Sequence, residues 1–209
     1  MRITVFGSTG RTGRHVLAEG LRRGHAITAF TRRPQTLLDQ SSLAAVVTGD
    51  GRDPDAVRRA VTGADAVLAI VSAERRKGPH HTAAVLEVII DAMTDLGIRR
   101  LVATSAYPIV ARTPQLPMAL LRRLLASAYA DLTRMEHLLT SSELDWTVVR
   151  LNRLTDAPAR GRTRLSRGEL DRPAGLTRAD AAATLLDVIA DDTTARAALN
   201  AAGPRPGGS

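Results

Sequence analysis

Short apolar runs alternate with segments of helical spacing along most of this chain. Strand-like runs fall at Ile3–Phe6, Ala26–Thr31, Ala45–Thr48, Ala66–Val71, Leu101–Ser105 and Thr147–Leu151. Between them, helices are predicted at Arg11–Arg23, Pro54–Val61, His81–Leu96 and Leu116–Ser141; in the third, Val85, Ile89 and Met93 repeat at helical spacing. Gly24, Gly63 and Gly97 stand where helices should stop. Buried strands alternating with helices mark an α/β fold, a doubly wound parallel sheet covered on both faces.

The rhythm breaks at Asp156–Gly175, which is rich in Arg, Gly and Pro. This segment reads as an irregular excursion or small hairpin on the substrate side, because ligands of open parallel sheets collect beyond the carboxyl ends of the strands. Thr177-Arg178-Ala179-Asp180 resembles a capping box with Asp in place of Glu, starting a helix to about Ala190. A last short strand is placed at Ala197–Asn200. Residues 1–203 are read as one domain and Pro204–Ser209 as a flexible tail.

The chemistry starts where the first strand ends. Gly7-Ser8-Thr9-Gly10-Arg11-Thr12-Gly13 puts three glycines where a strand turns into a helix. A side chain at the first would block the turn, one at the second would hold a pyrophosphate off the backbone, and one at the third would push the helix away. The following helix aims unpaired N–H groups at the phosphates. The spacing is G-x-x-G-x-x-G rather than the commoner G-x-G-x-x-G, so the context has to support it. After the second strand stands Thr31-Arg32-Arg33-Pro34, where NAD-specific folds carry an acid. Positive charge there favours the 2′-phosphate of NADP(H), with Arg32 the first choice and Arg33 the second. Gly49-Asp50-Gly51 follows the third strand, a turn able to pass under adenine with Asp50 against its exocyclic amine. Asp53-Pro54 then reads as a helix N-cap with proline at the first helical position.

Composition narrows the alternatives. The chain has 209 residues, 44% of them hydrophobic, enough for a substantial core. It contains no cysteine, which removes disulfides and thiolate chemistry and fits a reducing cytoplasm. No run approaches the ~18 apolar residues of a membrane span, and a strand begins at once, so a soluble cytoplasmic protein without membrane partners is expected. A net charge of +8 raises nucleic-acid binding. Against it, the arginine pairs (Arg22-Arg23, Arg32-Arg33, Arg58-Arg59, Arg75-Arg76, Arg99-Arg100, Arg122-Arg123) fall mostly at predicted element ends, and aromatics make up 2%. The expected partner is a small-molecule substrate, not nucleic acid. His80-His81 point different ways and have no matching ligands, so no metal site is assigned. Trp146 reads as packing, and Ser105, His137 and Asp145 lack the glycines of a hydrolase elbow.

Taken together, these motifs resemble the atypical short-chain dehydrogenase/reductases, the Rossmann-like NAD(P)H-binding group that includes biliverdin-IXβ (flavin) reductase and relatives of the nitrogen-metabolite-repression regulator. The resemblance extends to Ala103-Thr104-Ser105-Ala106-Tyr107, Arg134-Met135-Glu136, Leu144 to Arg150 and Leu154-Thr155-Asp156. It implies that Gly7 to Gly13 hold the pyrophosphate and Arg32 the 2′-phosphate. Ser72, Ala73 and Thr104 would line the cofactor, with the Leu151, Asn152 to Leu154 backbone beside the carboxamide. Ser105 and Tyr107 would face nicotinamide and substrate as candidate catalytic groups, Tyr107 either as proton donor or as an apolar cap. A monomer or weak homo-oligomer is compatible with it.

The chain departs from the group at two places. The catalytic dehydrogenases of the superfamily use Tyr-x-x-x-Lys, whereas Tyr107 is followed by Ala111, Tyr129 by Thr133, and the lone lysine is Lys77. Where relatives often carry proline after the sixth strand, Leu151-Asn152-Arg153 stands, so Asn152 and Arg153 are expected to meet a polar or anionic substrate. The reading is an NADPH-dependent oxidoreductase delivering hydride to a flavin, quinone or similar planar acceptor. The alternatives are a non-catalytic NADP(H)-binding redox sensor, or a biosynthetic enzyme using the fold for non-redox chemistry.

Overall fold

A computed structural model describes residues 1–70, 80–107 and 126–205. The elements are β1 (Arg2–Phe6), α1 (Arg11–Arg22), β2 (Ala26–Thr31), β3 (Ala45–Thr48), α2 (Pro54–Val61), β4 (Ala66–Ala69), α3 (Thr82–Asp95) and β5 (Arg100–Ala106). They continue with α4 (Ala126–Thr140), β6 (Asp145–Leu151), β7 (Leu154–Thr155), β8 (Arg164–Ser166), β9 (Leu176–Thr177), α5 (Arg178–Ala190) and β10 (Ala197–Ala202). The large sheet runs β3-β2-β1-β4-β5-β6-β10-β8, parallel throughout except where β8 lies antiparallel to β10. This is the doubly wound α/β arrangement, and the strand order reverses beside β1. There a crevice opens between the strand ends of β1 and β4.

Alternation along each strand divides the core in two. Ile3, Val5, Ile27, Ala29, Leu68 and Val102 face α1 and α5, where Val16, Leu17, Leu185 and Leu186 cover them. Phe6, Phe30, Val67, Leu101 and Ala103 face the opposite way, against Val57 of α2, Leu86 and Ile89 of α3, and Met135 of α4. Thr4 is the buried polar residue of β1, and its hydroxyl donates to Ala60 O at 2.7 Å near the end of α2. Glu136 of α4 and Arg150 of β6 pair at 2.6 Å with only 11% and 17% of their side chains exposed, tying that helix to the sheet.

The sequence pattern locates the elements to within a few residues. Strand β5 extends to Ala106 because its ladder with β6 continues to the pair Ala106 and Leu151. The fourth helix is described only from Ala126, and Val71, Ser72 and Ala73 lie outside the described residues. The excursion contributes a strand of its own, β8, to the sheet edge beyond β10. Its backbone is fastened by buried or half-buried side chains. Asp180 accepts from Arg160 N and Gly161 N, both at 2.9 Å. Asn152 Nδ2 donates to Pro173 O and Ala174 O, and Asn200 Nδ2 donates to Gly168 O. Half of the expected capping box forms, since the Thr177 hydroxyl accepts from Asp180 N at 3.0 Å. The Asp180 carboxylate accepts from the Thr177 hydroxyl at 2.8 Å rather than from its backbone N–H, and it serves the cap and the excursion together.

On the α1 side, Glu19 accepts from Arg22 and Arg23, and Arg23 reaches across to Asp187 of α5 at 2.6 Å. Hydrogen bonds from Arg22 and then Arg23 hold the Glu19 carboxyl down at about 2 from 4.5. A depressed folded-state pKa gives stability that is present above the unfolded value and lost as pH falls toward the folded one. Thermal melts from pH 5 down to about 2 are therefore expected to show a falling Tm, with a shallower fall in Glu19→Gln.

Candidate functional site

The glycine turn is built by close backbone approach. Gly7 has φ +78°, and a Cβ there would stand 2.2 Å from Ile70 O. Gly10 donates its N–H to Gly7 O at 3.0 Å and caps α1 with no side-chain hydrogen bond, so the helix offers its first N–H groups to the crevice. At Gly13 a Cβ would fall 2.2 Å from Gly7 O. Gly7 and Gly13 are thus demanded by neighbouring backbone, and at Gly10 a Cβ would be more mildly crowded, 3.1 Å from Gly7 O.

Two chambers meet at Gly7, Gly10 and Ile70. The first, about 290 Å³, is lined by Thr9, Arg32, Arg33, Gly49, Asp50 and Gly51, with Phe6 and Phe30 on its apolar side. The two phenyl rings pack at 4.7 Å between centroids. Thr31 Oγ1 accepts from Arg33 N at 3.0 Å, which shapes the turn that presents both arginines. Asp50 is also there, but its carboxylate accepts from Arg52 N at 2.9 Å, Nε at 3.1 Å and Nη2 at 2.9 Å. The Arg52 guanidinium, then its backbone N–H, hold the Asp50 carboxyl at about 2, with Arg32 adding a smaller attraction. Asp50 is therefore an anion already gripped by a neighbour. A Cβ on Gly51 would lie 2.8 Å from Val85, so this turn also sets how closely α3 approaches.

The second chamber, about 300 Å³, lies over the ends of β5 and β6. Arg11, Thr12, Thr104, Ser105, Leu151, Asn152 and Leu154 of the sequence-derived set line it, together with Arg178. Ser105 is 7% exposed, and its hydroxyl is buried without a hydrogen-bond partner among the described residues. An orphaned buried hydroxyl costs stability unless a ligand or water satisfies it. Thr104 Oγ1 makes a long bond to Ala69 O at 3.5 Å.

Three expected site residues stand elsewhere. Ser8 is fully buried and donates to Phe30 O at 2.8 Å, joining the glycine turn to β2, so its side chain does not face the crevice. Tyr107 packs with Leu170 and Ala202, and its hydroxyl accepts from Leu170 N at 3.1 Å. It holds the excursion and does not line either chamber. Arg153 is exposed beside Gly175, outside the chamber lining; Arg178 occupies the wall in its place. Ser72 and Ala73 lie outside the described residues.

Sequence reasoning missed two residues that shape the site. Asp131 of α4 accepts from Thr82 N at 2.8 Å and Ala83 N at 3.3 Å, capping α3 from another helix. Arg178 is the other, and its place before Ala179 and Asp180 in the capping motif was the available signal. His80 and His81 line the first chamber, with His80 Nε2 3.2 Å from Ser127 Oγ. Among the described residues no group of His, Asp or Glu is arranged to hold a metal. A larger hollow, about 700 Å³, opens at the amino ends of the strands, away from the glycine turn. Of its three acidic residues, Asp65 pairs with Arg2 and Asp145 with Arg99, and Asp192 also lines it. No helix among the described residues is long and apolar enough to cross a membrane.

The glycine cradle, the uncapped helix and the orphaned Ser105 hydroxyl fit a dinucleotide laid across both chambers. Comparison with known proteins points the same way. A short-chain dehydrogenase/reductase from Veillonella parvula superposes with a TM-score of 0.84 at 21% identity, covering 100% of this chain and 99% of the other. A second structure from that organism, in complex with NADP, gives 0.82 at 21% identity, with 99% of each chain covered. ChuY, an anaerobillin reductase from Escherichia coli O157:H7, gives 0.80 at 20% identity over all of both chains. These likenesses establish a shared fold. Uncharacterized protein Rv2047c of Mycobacterium tuberculosis is 36% identical over 107 residues, 51% of this chain but only 12% of that much longer relative. The model of the NAD(P)H-binding family matches residues 7–192, and the chain belongs to that family.

Proposed function

We propose that this protein is an NADPH-dependent reductase that passes hydride to a planar conjugated acceptor such as a flavin, a quinone or a linear tetrapyrrole. The observation that carries the reading is the division of the crevice. One chamber holds Arg32 and Arg33 where a 2′-phosphoadenosine would lie, and the other holds Ser105 where a nicotinamide would lie. The fold shared with an NADP complex and with a reductase supports it.

Bound NADPH supplies the hydride. The glycine turn and the amino end of α1 bind the pyrophosphate, and the guanidinium groups of Arg32 and Arg33 grip the 2′-phosphate. Ser105 Oγ donates to the carboxamide or to the acceptor's oxygen. Leu151 and Leu154 give the second chamber apolar walls that exclude water from the reacting face. A conjugated acceptor spreads the incoming charge over its ring system, so solvent can deliver the accompanying proton and positioning is the protein's main contribution. This accords with a sequence that has no Tyr-x-x-x-Lys.

Arg32→Glu replaces the phosphate's partner with a like charge. NADPH affinity is expected to fall about 100-fold, and NADH affinity to change little. Titration of both dinucleotides against both proteins measures this, and wild-type NADPH affinity in the variant would remove Arg32 from the site. Tight binding without NADPH consumption, across flavins and quinones, would instead identify a redox sensor.

A further inference from the structure

Two arginines on the wall of the second chamber share a carboxylate that stands just outside the lining, and binding of the dinucleotide's adenosine half does not use them. Arg178 opens α5, is 8% exposed, and donates from Nη1 to Asp156 Oδ1 at 2.6 Å. The other oxygen of Asp156 accepts from Arg11 Nη1 at 3.3 Å, and Arg11 opens α1 beside the glycine turn. Both arginines line the chamber. The carboxylate joining them comes from the excursion and is 62% exposed, whereas the Arg178 side chain is 9% exposed. One solvated anion thus spans two cations that begin two neighbouring helices.

The bond is unequal for its partners. A buried guanidinium has lost its hydration and needs an anion beside it. A solvated carboxylate gains little from the same contact, because water serves it nearly as well. Asp156 gives each arginine a single oxygen, while a phosphate or carboxylate entering the chamber can meet a guanidinium with two parallel hydrogen bonds. The positive amino end of α1 adds to the attraction for an entering anion. Asp156 can leave for solvent easily, since little but this contact orders its side chain.

We propose that Arg178 and Arg11 form an oxyanion clamp, occupied by Asp156 in the free protein and surrendered to the ligand on binding. The inference rests on the reading that this chamber receives the nicotinamide end. The oxyanion is a phosphate or carboxylate, carried either by the dinucleotide's pyrophosphate or by an anionic acceptor. Arg178 is then a binding residue, and Asp156 a place-holder that sets the threshold for occupancy.

Calorimetry with inorganic pyrophosphate tests the clamp without requiring turnover. Asp156→Asn should bind pyrophosphate about fivefold more tightly than wild type, and Arg178→Met about tenfold more weakly. In Asp156→Asn with Arg178→Met, the gain from the first change should largely vanish, since both act through one contact. Should Asp156→Asn fail to fold, Asp156→Ser is the equivalent variant. Turnover with FMN and riboflavin, which share the reacting ring and differ by a phosphate, separates the sources. A rise in KM for NADPH in Arg178→Met, with the FMN to riboflavin ratio kept, assigns the clamp to the cofactor. A selective loss of FMN turnover assigns it to the acceptor, and either outcome supports the proposal. Wild-type pyrophosphate affinity in folded Arg178→Met, weaker binding in Asp156→Asn, or no measurable pyrophosphate binding by any of these proteins would overturn it. Any of these alongside NADPH turnover would leave the reductase reading intact, whereas the expected pyrophosphate series without turnover would do the reverse.

Discussion

Gly13→Ala is expected to lower NADPH affinity by at least about 100-fold and to destabilise the fold by about 2–4 kcal/mol. On helix propensity alone the change should help, since alanine in α1 is favoured over glycine by about 1 kcal/mol. The contact decides otherwise. The added Cβ would lie 2.2 Å from Gly7 O and 2.8 Å from Ser8 O, both backbone atoms of the turn proposed to hold the pyrophosphate. Neither can rotate away, so α1 must lift from the turn, and its N–H groups then miss the phosphates. Denaturant unfolding and calorimetry check the two parts separately. A variant as stable as wild type and binding NADPH normally would show that the close approach is not required.

The second large effect is structural and lies at the opposite end of β5 from Ser105. Arg100 is 7% exposed, and its guanidinium donates to Val188 O, Ile189 O at 3.2 Å and Asp145 O at 2.9 Å. It also meets the hydroxyls of Thr147 at 2.8 Å and Thr194 at 2.7 Å. The carbonyls at the end of α5 supply the partial negative charge that lets a buried cation stand there. Burial pushes the Arg100 pKa down, with Asp192, Asp145 and Asp191 opposing the shift, and the group remains a cation at neutral pH. Arg100→Met fills similar space but strands those carbonyls, at an expected cost of about 3–5 kcal/mol and a fall in Tm of about 10 °C. Arg100→Lys should recover only part of it, because a single ammonium cannot span the spread of acceptors. NADPH affinity of the folded fraction should be unchanged. A Tm within a degree or two of wild type would contradict this account of how α5 is held.

What could be read from the sequence depended on distance along the chain. The glycine turn, the strand runs and Asp53 with Pro54 were legible because each is decided by neighbours within a few residues. Asp53 caps α2 as its spacing implies, accepting from Asp55 N and Ala56 N. The place of Arg32 and Arg33 on the first chamber follows in the same way, since a position at the end of β2 opens directly onto the crevice, and their grip on a 2′-phosphate belongs to the proposal. The roles settled by distant partners were not. Arg100 looked like one member of another arginine pair at an element end, and only the packing of α5 against the sheet makes it a buried tie. Ser8 sits inside the motif expected to hold phosphate, yet a carbonyl on β2 claims its hydroxyl. Tyr107 was an open choice between proton donor and cap, and the N–H of Leu170, 63 residues away, engages its oxygen. Arg153 and Arg178 show the same limit: both carry the charge that a substrate-side role requires, and only the course of the chain puts Arg178 on the chamber wall.

The most direct test of the central claim is a calorimetric titration of the intact chain with NADPH and with NADH. The two-chambered crevice with Arg32 and Arg33 in its first half should bind NADPH, and bind it about tenfold or more tightly than NADH. Failure of both dinucleotides to bind at millimolar concentration would contradict the assignment of the glycine turn, and equal affinities would contradict that of the two arginines.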